Sequence, residues 1–114
     1  MTGCATWLPP AVLVQDIETI AGTWQGTRTS PAGSGGYKLT IKQDGSWEGT
    51  SSVPLFRGVT RLEGAIFIRN GKIFSLSRTS GISGPYILHE GDGGRILTYR
   101  SDDGSITSRL TPVN

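Results

Sequence analysis

The side chains able to do covalent or acid-base chemistry are few and scattered. His89 is the single histidine and Cys4 the single cysteine. A metal cluster of imidazoles and thiolates, or a Cys-His nucleophilic pair, therefore lacks its second member. His89, beside Glu90 at the end of a β-rich run, reads as a surface residue. The carboxylates Asp44, Asp92, Asp102 and Asp103 fall in glycine-containing turns, where Asp serves backbone geometry. General acid-base catalysis needs such groups converging in a cleft, and the spacing brings none together. Gly33-Ser34-Gly35-Gly36 follows Pro31 without the strand-to-helix setting of a phosphate cradle. These residue types point to binding and away from catalysis, with no metal and no cofactor. An unrecognised hydrolase or isomerase would need a cleft carboxylate of raised pKa.

The elements that carry these residues are strands. The 17 glycines sit mostly where a chain must reverse: in Lys42-Gln43-Asp44-Gly45-Ser46, Arg69-Asn70-Gly71-Lys72, Glu90-Gly91-Asp92-Gly93-Gly94 and Ser101-Asp102-Asp103-Gly104-Ser105. Asn-Gly and Asp-Gly supply the positive φ that tight hairpins require. Between the turns lie eight expected strands: 22–29, 36–43, 46–52, 56–68, 72–79, 85–90, 95–100 and 105–111. Tyr37, Leu39 and Ile41 alternate with Lys38, Thr40 and Lys42, the period of a sheet with one buried face. Hairpin spacing favours an antiparallel meander, and closure removes every exposed edge. The expected fold is all-β: an eight-stranded antiparallel up-and-down β-barrel with a short N-terminal helix or turn. A β-sandwich of the same strands is the alternative. The echo of Asp44-Gly45-Ser46 in Asp103-Gly104-Ser105 reads as reused turn chemistry.

Composition bounds the partners. The chain has 114 residues, 35% hydrophobic and 18% charged, so it can bury one core and is neither a highly charged disordered segment nor a run of apolar spans. Its net charge of +2 comes from 11 basic and 9 acidic residues dispersed along the chain. Nucleic acid is excluded as a partner on this reading, because phosphate binding uses massed Lys and Arg. Residues 1–14 are expected to form a leader remnant and tether, and 15–114 a single barrel domain. Fully extended, residues 5 to 14 would reach roughly 30 Å. Ala11 to Ile20 is the one candidate helix, with Val14 and Ile17 on one face, plugging a barrel mouth.

Two short motifs resemble known families. Thr2-Gly3-Cys4 resembles the end of a bacterial lipobox, with Met1 where Leu is usual. The resemblance implies lipidation of Cys4, a membrane partner through that anchor, and a place in the cell envelope on the periplasmic or outer-membrane side. Gly22-Thr23-Trp24 resembles the Gly-x-Trp signature of lipocalin-like (calycin) barrels. There the tryptophan closes one barrel end under an arginine from late in the chain, which implies Trp24 and Arg109 as the barrel-closing pair. Ile20-Ala21-Gly22-Thr23-Trp24 also resembles the opening of avidin-like barrels, yet no tryptophan follows Trp47 to box a biotin ring.

Small barrels fill their interior or hold one small ligand there. Gly26, Gly49, Gly58, Ser75, Ser77, Thr98 and Ser108 are expected to point inward beside Tyr37, Trp47, Tyr86 and Tyr99, the candidate lumen-lining aromatics. The mixture suits a modest cup or a filled core, and short strands favour the filled core, with function in the loops at 30–36 and 79–84. The expected function is non-catalytic binding of an envelope partner protein or a small apolar or amphiphilic ligand. The alternative is a periplasmic protease inhibitor, whose family uses a similar barrel with a reaching N-terminal segment and typically a disulfide.

Overall fold

The computed structural model describes residues 8–31, 33–52 and 60–113. Cys4 and Gly58 lie outside them. Alternation decides the burial of nearly every strand. In β4 (Ser46–Ser52), Trp47, Gly49 and Ser51 are buried while Glu48, Thr50 and Ser52 are exposed. In β6 (Lys72–Ser77), Ile73, Ser75 and Ser77 are buried while Lys72, Phe74 and Leu76 are exposed. Such strands bury one face only if the sheet curls around it.

It does so completely. After a two-residue strand β1 (Ala11–Val12) come β2 (Gly22–Ser30), β3 (Gly33–Ile41), β4, β5 (Thr60–Arg69), β6, β7 (Ser83–Gly91), β8 (Gly94–Arg100) and β9 (Thr107–Pro112). From β2 onward each strand pairs antiparallel with the next, and β9 returns to β2 with Gly26 opposite Leu110. The result is a closed eight-stranded up-and-down barrel, as the strand count and hairpin spacing predict. The turns use the expected chemistry: Asn70 has φ 53° and Gly71 φ 78°. Asp44 accepts from the Ser46 amide and hydroxyl at 2.9 and 2.6 Å, and Asp103 accepts from the Ser105 amide and hydroxyl at 2.9 and 2.7 Å. The repeated Asp-Gly-Ser is thus the same turn made twice.

The N-terminal segment differs from a free tether ending in a helix. Ala11 to Ile20 is extended apart from one 3₁₀ turn, Ile17–Thr19. Here β1 pairs with the second half of β7, where Ala11 faces His89 and Val12 faces Leu88. This is the stretch of β7 beyond the residues that β6 engages. His89 is correspondingly not a plain surface residue. A carbonyl can only accept, so its Nδ1 carries the proton and donates to Pro9 O at 3.0 Å, while Nε2 accepts from the Thr98 hydroxyl at 3.2 Å. Val14 N donates to Gly71 O at 3.0 Å, and Val14 and Ile20 are buried. Residues 9–14 are therefore part of the barrel. No helix among the described residues is long and apolar enough to cross a membrane.

Candidate binding site at the polar end of the barrel

The two ends of the barrel have opposite chemistry. At one end Trp24, 1% exposed, packs with Val14, Ile20, Leu39, Ile41, Leu88, Leu97 and Leu110. Its Nε1 donates to Ile20 O at 2.9 Å, which ties the ring to the segment that plugs this end. The arginine over the ring is Arg95 of β8, with Cζ 5.0 Å from the centroid and a guanidinium N–H donating to Thr19 O at 2.8 Å. Arg109 is elsewhere: alternation in β9 buries Ser108 and Leu110 and leaves Arg109 exposed. The cation-π contact and the cap on a loop carbonyl both come from Arg95.

At the other end the interior is aromatic and hydroxylic. Tyr37 of β3, Trp47 of β4, Tyr86 of β7 and Tyr99 of β8 line one cavity together with Arg28 of β2, Ser75, Ser77 and Ser108. The four aromatics expected in the lumen thus meet there. Gly26 and Thr98, expected inward, are not in that lining, since Gly26 is exposed and Thr98 bonds to His89. The rings fit because glycines face them. A Cβ at Gly49 would lie 2.5 Å from the Tyr37 hydroxyl oxygen, and one at Gly64 would lie 2.8 Å from the Trp47 ring. Those rings take up the space that the missing side chains release. The cavity left among them measures about 20 Å³, enough for one water-sized group, for which 10–15 Å³ is roughly the minimum. The lumen is a filled core with a polar niche near its mouth.

Arg28 is the cation of that niche, and at Tyr99 its field is opposed by Asp102 and Asp103. Its guanidinium lies 5.7 Å from the Tyr37 ring centroid and donates to the Ser51 hydroxyl at 3.4 Å. The ion pair found among the described residues is Lys42 with Glu48, so no described carboxylate neutralises Arg28. Tyr86 and Tyr99 pack with centroids 4.8 Å apart, tilted by 42°, and the hydroxyls of Tyr37 and Tyr86 share a hydrogen bond. Trp47 Nε1 is buried and has no hydrogen-bond partner among the described residues. An unmatched buried N–H costs about 1–3 kcal/mol. A cation, aromatic rings and serine side chains thus line one niche, together with the apolar side chains of Leu62, Ile82 and Ile106. Arg28 is not marked as a site residue by the sequence, which points to Trp47 only as a lumen-lining aromatic. The pairing of Arg28 with a buried serine and of Trp47 with Gly64 appears only once register is known.

Burial pushes the Tyr37 phenol up to about 12, against the pull of Arg28. Burial likewise raises Tyr99 to about 12, reinforced by Asp102 and opposed by Arg28. Tyr86 is driven well above its ordinary value by burial and then by Tyr37. Because these pKa values are raised on folding, the native state retains protons that the unfolded chain loses. The resulting stability is present below the ordinary tyrosine value of 10.0 and is lost as pH rises toward about 12. Tyrosinate absorbance of the folded protein is expected to stay low until the alkaline unfolding transition. Ionisation of all three tyrosines near their ordinary value, with the fold intact, would place them in solvent.

Of the carboxylates expected in turns, Asp44 and Asp103 are used there, while Asp102 accepts from the Ser83 hydroxyl of β7 at 2.7 Å. Hydrogen bonds from Ser101 and Ser105 hold Asp103 down to about 2, and those from Ser46 lower Asp44. Among the described residues no group of three or more His, Cys, Asp and Glu side chains could hold a metal ion.

No known family model matches the chain, and no curated protein matches it. Among solved structures it is similar to the wild-type fluorescent protein UnaG, with a TM-score of 0.44 and 12% identity, over 85% of this chain and 99% of that one. The barrel assignment rests on this chain's own strand pairing.

Proposed function

We propose that this chain is a non-catalytic binding protein of the bacterial cell envelope, lipid-anchored through Cys4, whose barrel receives a carboxylate at its polar end. The observation that carries the site is Arg28, a guanidinium that lines the niche with Trp47 and forms no ion pair with a described carboxylate. The Thr2-Gly3-Cys4 motif and the presence of a single cysteine support the anchor. A niche of about 20 Å³ admits one oxygen of the ligand, and the ligand's carbon frame stays outside it, against the half-buried Tyr99. The carboxylate belongs either to a compact aromatic acid or to an acidic side chain of a partner protein. A fatty acid lying along the lumen does not fit. The inhibitor alternative asks for an N-terminal segment free to reach into an enzyme, whereas residues 9–14 are bonded to β7 and to the β5–β6 turn.

Benzoate and laurate distinguish these sites. At a concentration one hundred times its dissociation constant, a ligand adds about 2.7 kcal/mol to stability. For a domain of this size, that is a rise in Tm of roughly 10 °C or more. Benzoate is expected to raise the Tm saturably in the wild type and to lose the effect in Arg28→Gln, while laurate gives no larger shift. Stabilisation by laurate that survives Arg28→Gln would move the site into the lumen.

A further inference from the structure

The outer wall of a small barrel is ordinarily polar, and most of this one is. The exception is the wall made by β5, β6 and β7. Phe67 of β5 is 58% exposed and stands opposite Phe74 of β6, itself 42% exposed. Leu76 and Ile87 continue the patch, and Leu13 of the docked N-terminal segment, 71% exposed, borders it. Leu13, Phe74 and Ile87 line one groove of about 430 Å³ between the N-terminal segment and β6–β7. Contiguous exposed apolar surface of this kind marks an interaction site.

Two observations select the occupant. First, the patch has a cationic fringe: Arg69 stands opposite Lys72 at one end, and Arg78 lies at the other. Glu63 is the acidic neighbour, at the Arg78 end. An apolar centre with basic edges is complementary to an anionic lipid surface, where Lys and Arg pair with headgroups and aromatic side chains enter the interface. Second, the chain enters the barrel beside this wall. Pro9 is held by His89, Glu90 N donates to Pro10 O, and β1 lies along β7. Cys4 is four residues before Leu8, a reach of at most about 14 Å.

We propose that the Phe67–Phe74–Ile87 wall, with Leu13 and the Arg69–Lys72 fringe, is a membrane-docking face, so that the barrel lies on its β5–β7 flank against an anionic bilayer. This rests on the lipid anchor at Cys4 for its position in the cell. The docked N-terminal segment replaces the roughly 30 Å extended tether with a leash of at most about 14 Å, which keeps the β5–β7 wall close to the bilayer surface. It leaves the Arg28 end at the side, open to a partner.

The test uses the full chain with Cys4 coupled to a maleimide lipid in vesicles of phosphatidylcholine and phosphatidylglycerol, so that attachment does not depend on native acylation. A benzophenone side chain replaces Phe74 in one protein and Thr27 in another. Thr27 is exposed on β2, four strands around the barrel. Photolysis is expected to label lipid several-fold more from position 74 than from position 27. Position 67 substitutes if the first variant fails to fold. Equal lipid labelling from the two walls, no labelling from position 74, or a crosslink from position 74 to a second copy of the chain would each overturn the proposal. A precursor found soluble in cells, combined with strong lipid labelling from position 74, would remove the acyl anchor and leave the docking face standing.

Discussion

Trp24→Ala is expected to cost about 3–5 kcal/mol, the range for deleting a large buried aromatic side chain. The cavity would open where several elements meet. Trp24 is 1% exposed, and its indole N–H fastens Ile20. The loss would also free Arg95, which lies over the ring while holding Thr19 O. Since single domains are stable by only about 5–15 kcal/mol, the variant is expected to be largely unfolded at moderate denaturant. Arg95→Ala should reproduce a smaller part of the same effect and Arg109→Ala little of it, because Arg109 is on the outer face. Chemical denaturation of the three variants measures this. A loss below about 1 kcal/mol for Trp24→Ala would be incompatible with a buried closing residue.

On the proposed lipidation of Cys4, Cys4→Ser in a precursor is expected to move the protein from the membrane fraction to the soluble fraction of the cells that make it. Each buried methylene of an acyl chain contributes about 0.8 kcal/mol, so several chains hold a protein where a single myristoyl chain binds reversibly. The apolar wall alone is a much weaker attachment than that. Its residual contribution is expected to appear as salt-sensitive binding of the Cys4→Ser protein to anionic vesicles, because Arg69, Lys72 and Arg78 act through screened charge. Equal distribution of wild type and Cys4→Ser between the two fractions would dismiss lipidation.

Local chemistry makes much of the barrel legible in the sequence. Asn70-Gly71, Asp44-Gly45 and Asp103-Gly104 mark reversals through the positive φ of their residues, and the period of two in Tyr37 to Ile41 assigns the buried face directly. The four lumen aromatics followed from the same alternation. What escaped depends on contacts between residues distant in the chain. His89 looked exposed because nothing local shows that Pro9 covers it, 80 residues earlier. Ala11 to Ile20 has helix-like spacing, but β7 offers an unpaired edge that the segment satisfies as a strand. Arg95 closes the Trp24 end from β8 because the glycine turn at 91–94 brings the start of β8 to the plugged end. The calycin signature pointed to the last strand instead. The niche was hidden for a similar reason: Trp47 sits opposite Gly64 only in the observed register, and Arg28 gains its meaning from Tyr37 and Ser51 on neighbouring strands.

Recognition is proposed to occur at the Arg28 end of a filled barrel. Two indoles report separately: Trp47 lines the niche and its Nε1–H is unmatched, while Trp24 Nε1–H is bonded to Ile20 O at the plugged end. The most direct measurement is to follow the Trp24 and Trp47 indole N–H resonances of the ¹⁵N-labelled protein, assigned apart from that of Trp7, while titrating benzoate, in the wild type and in Arg28→Gln. The account predicts a saturable shift of the Trp47 signal with the Trp24 signal unmoved, and loss of the shift in Arg28→Gln. A shift at Trp24, or a Trp47 shift that persists without Arg28, would contradict it.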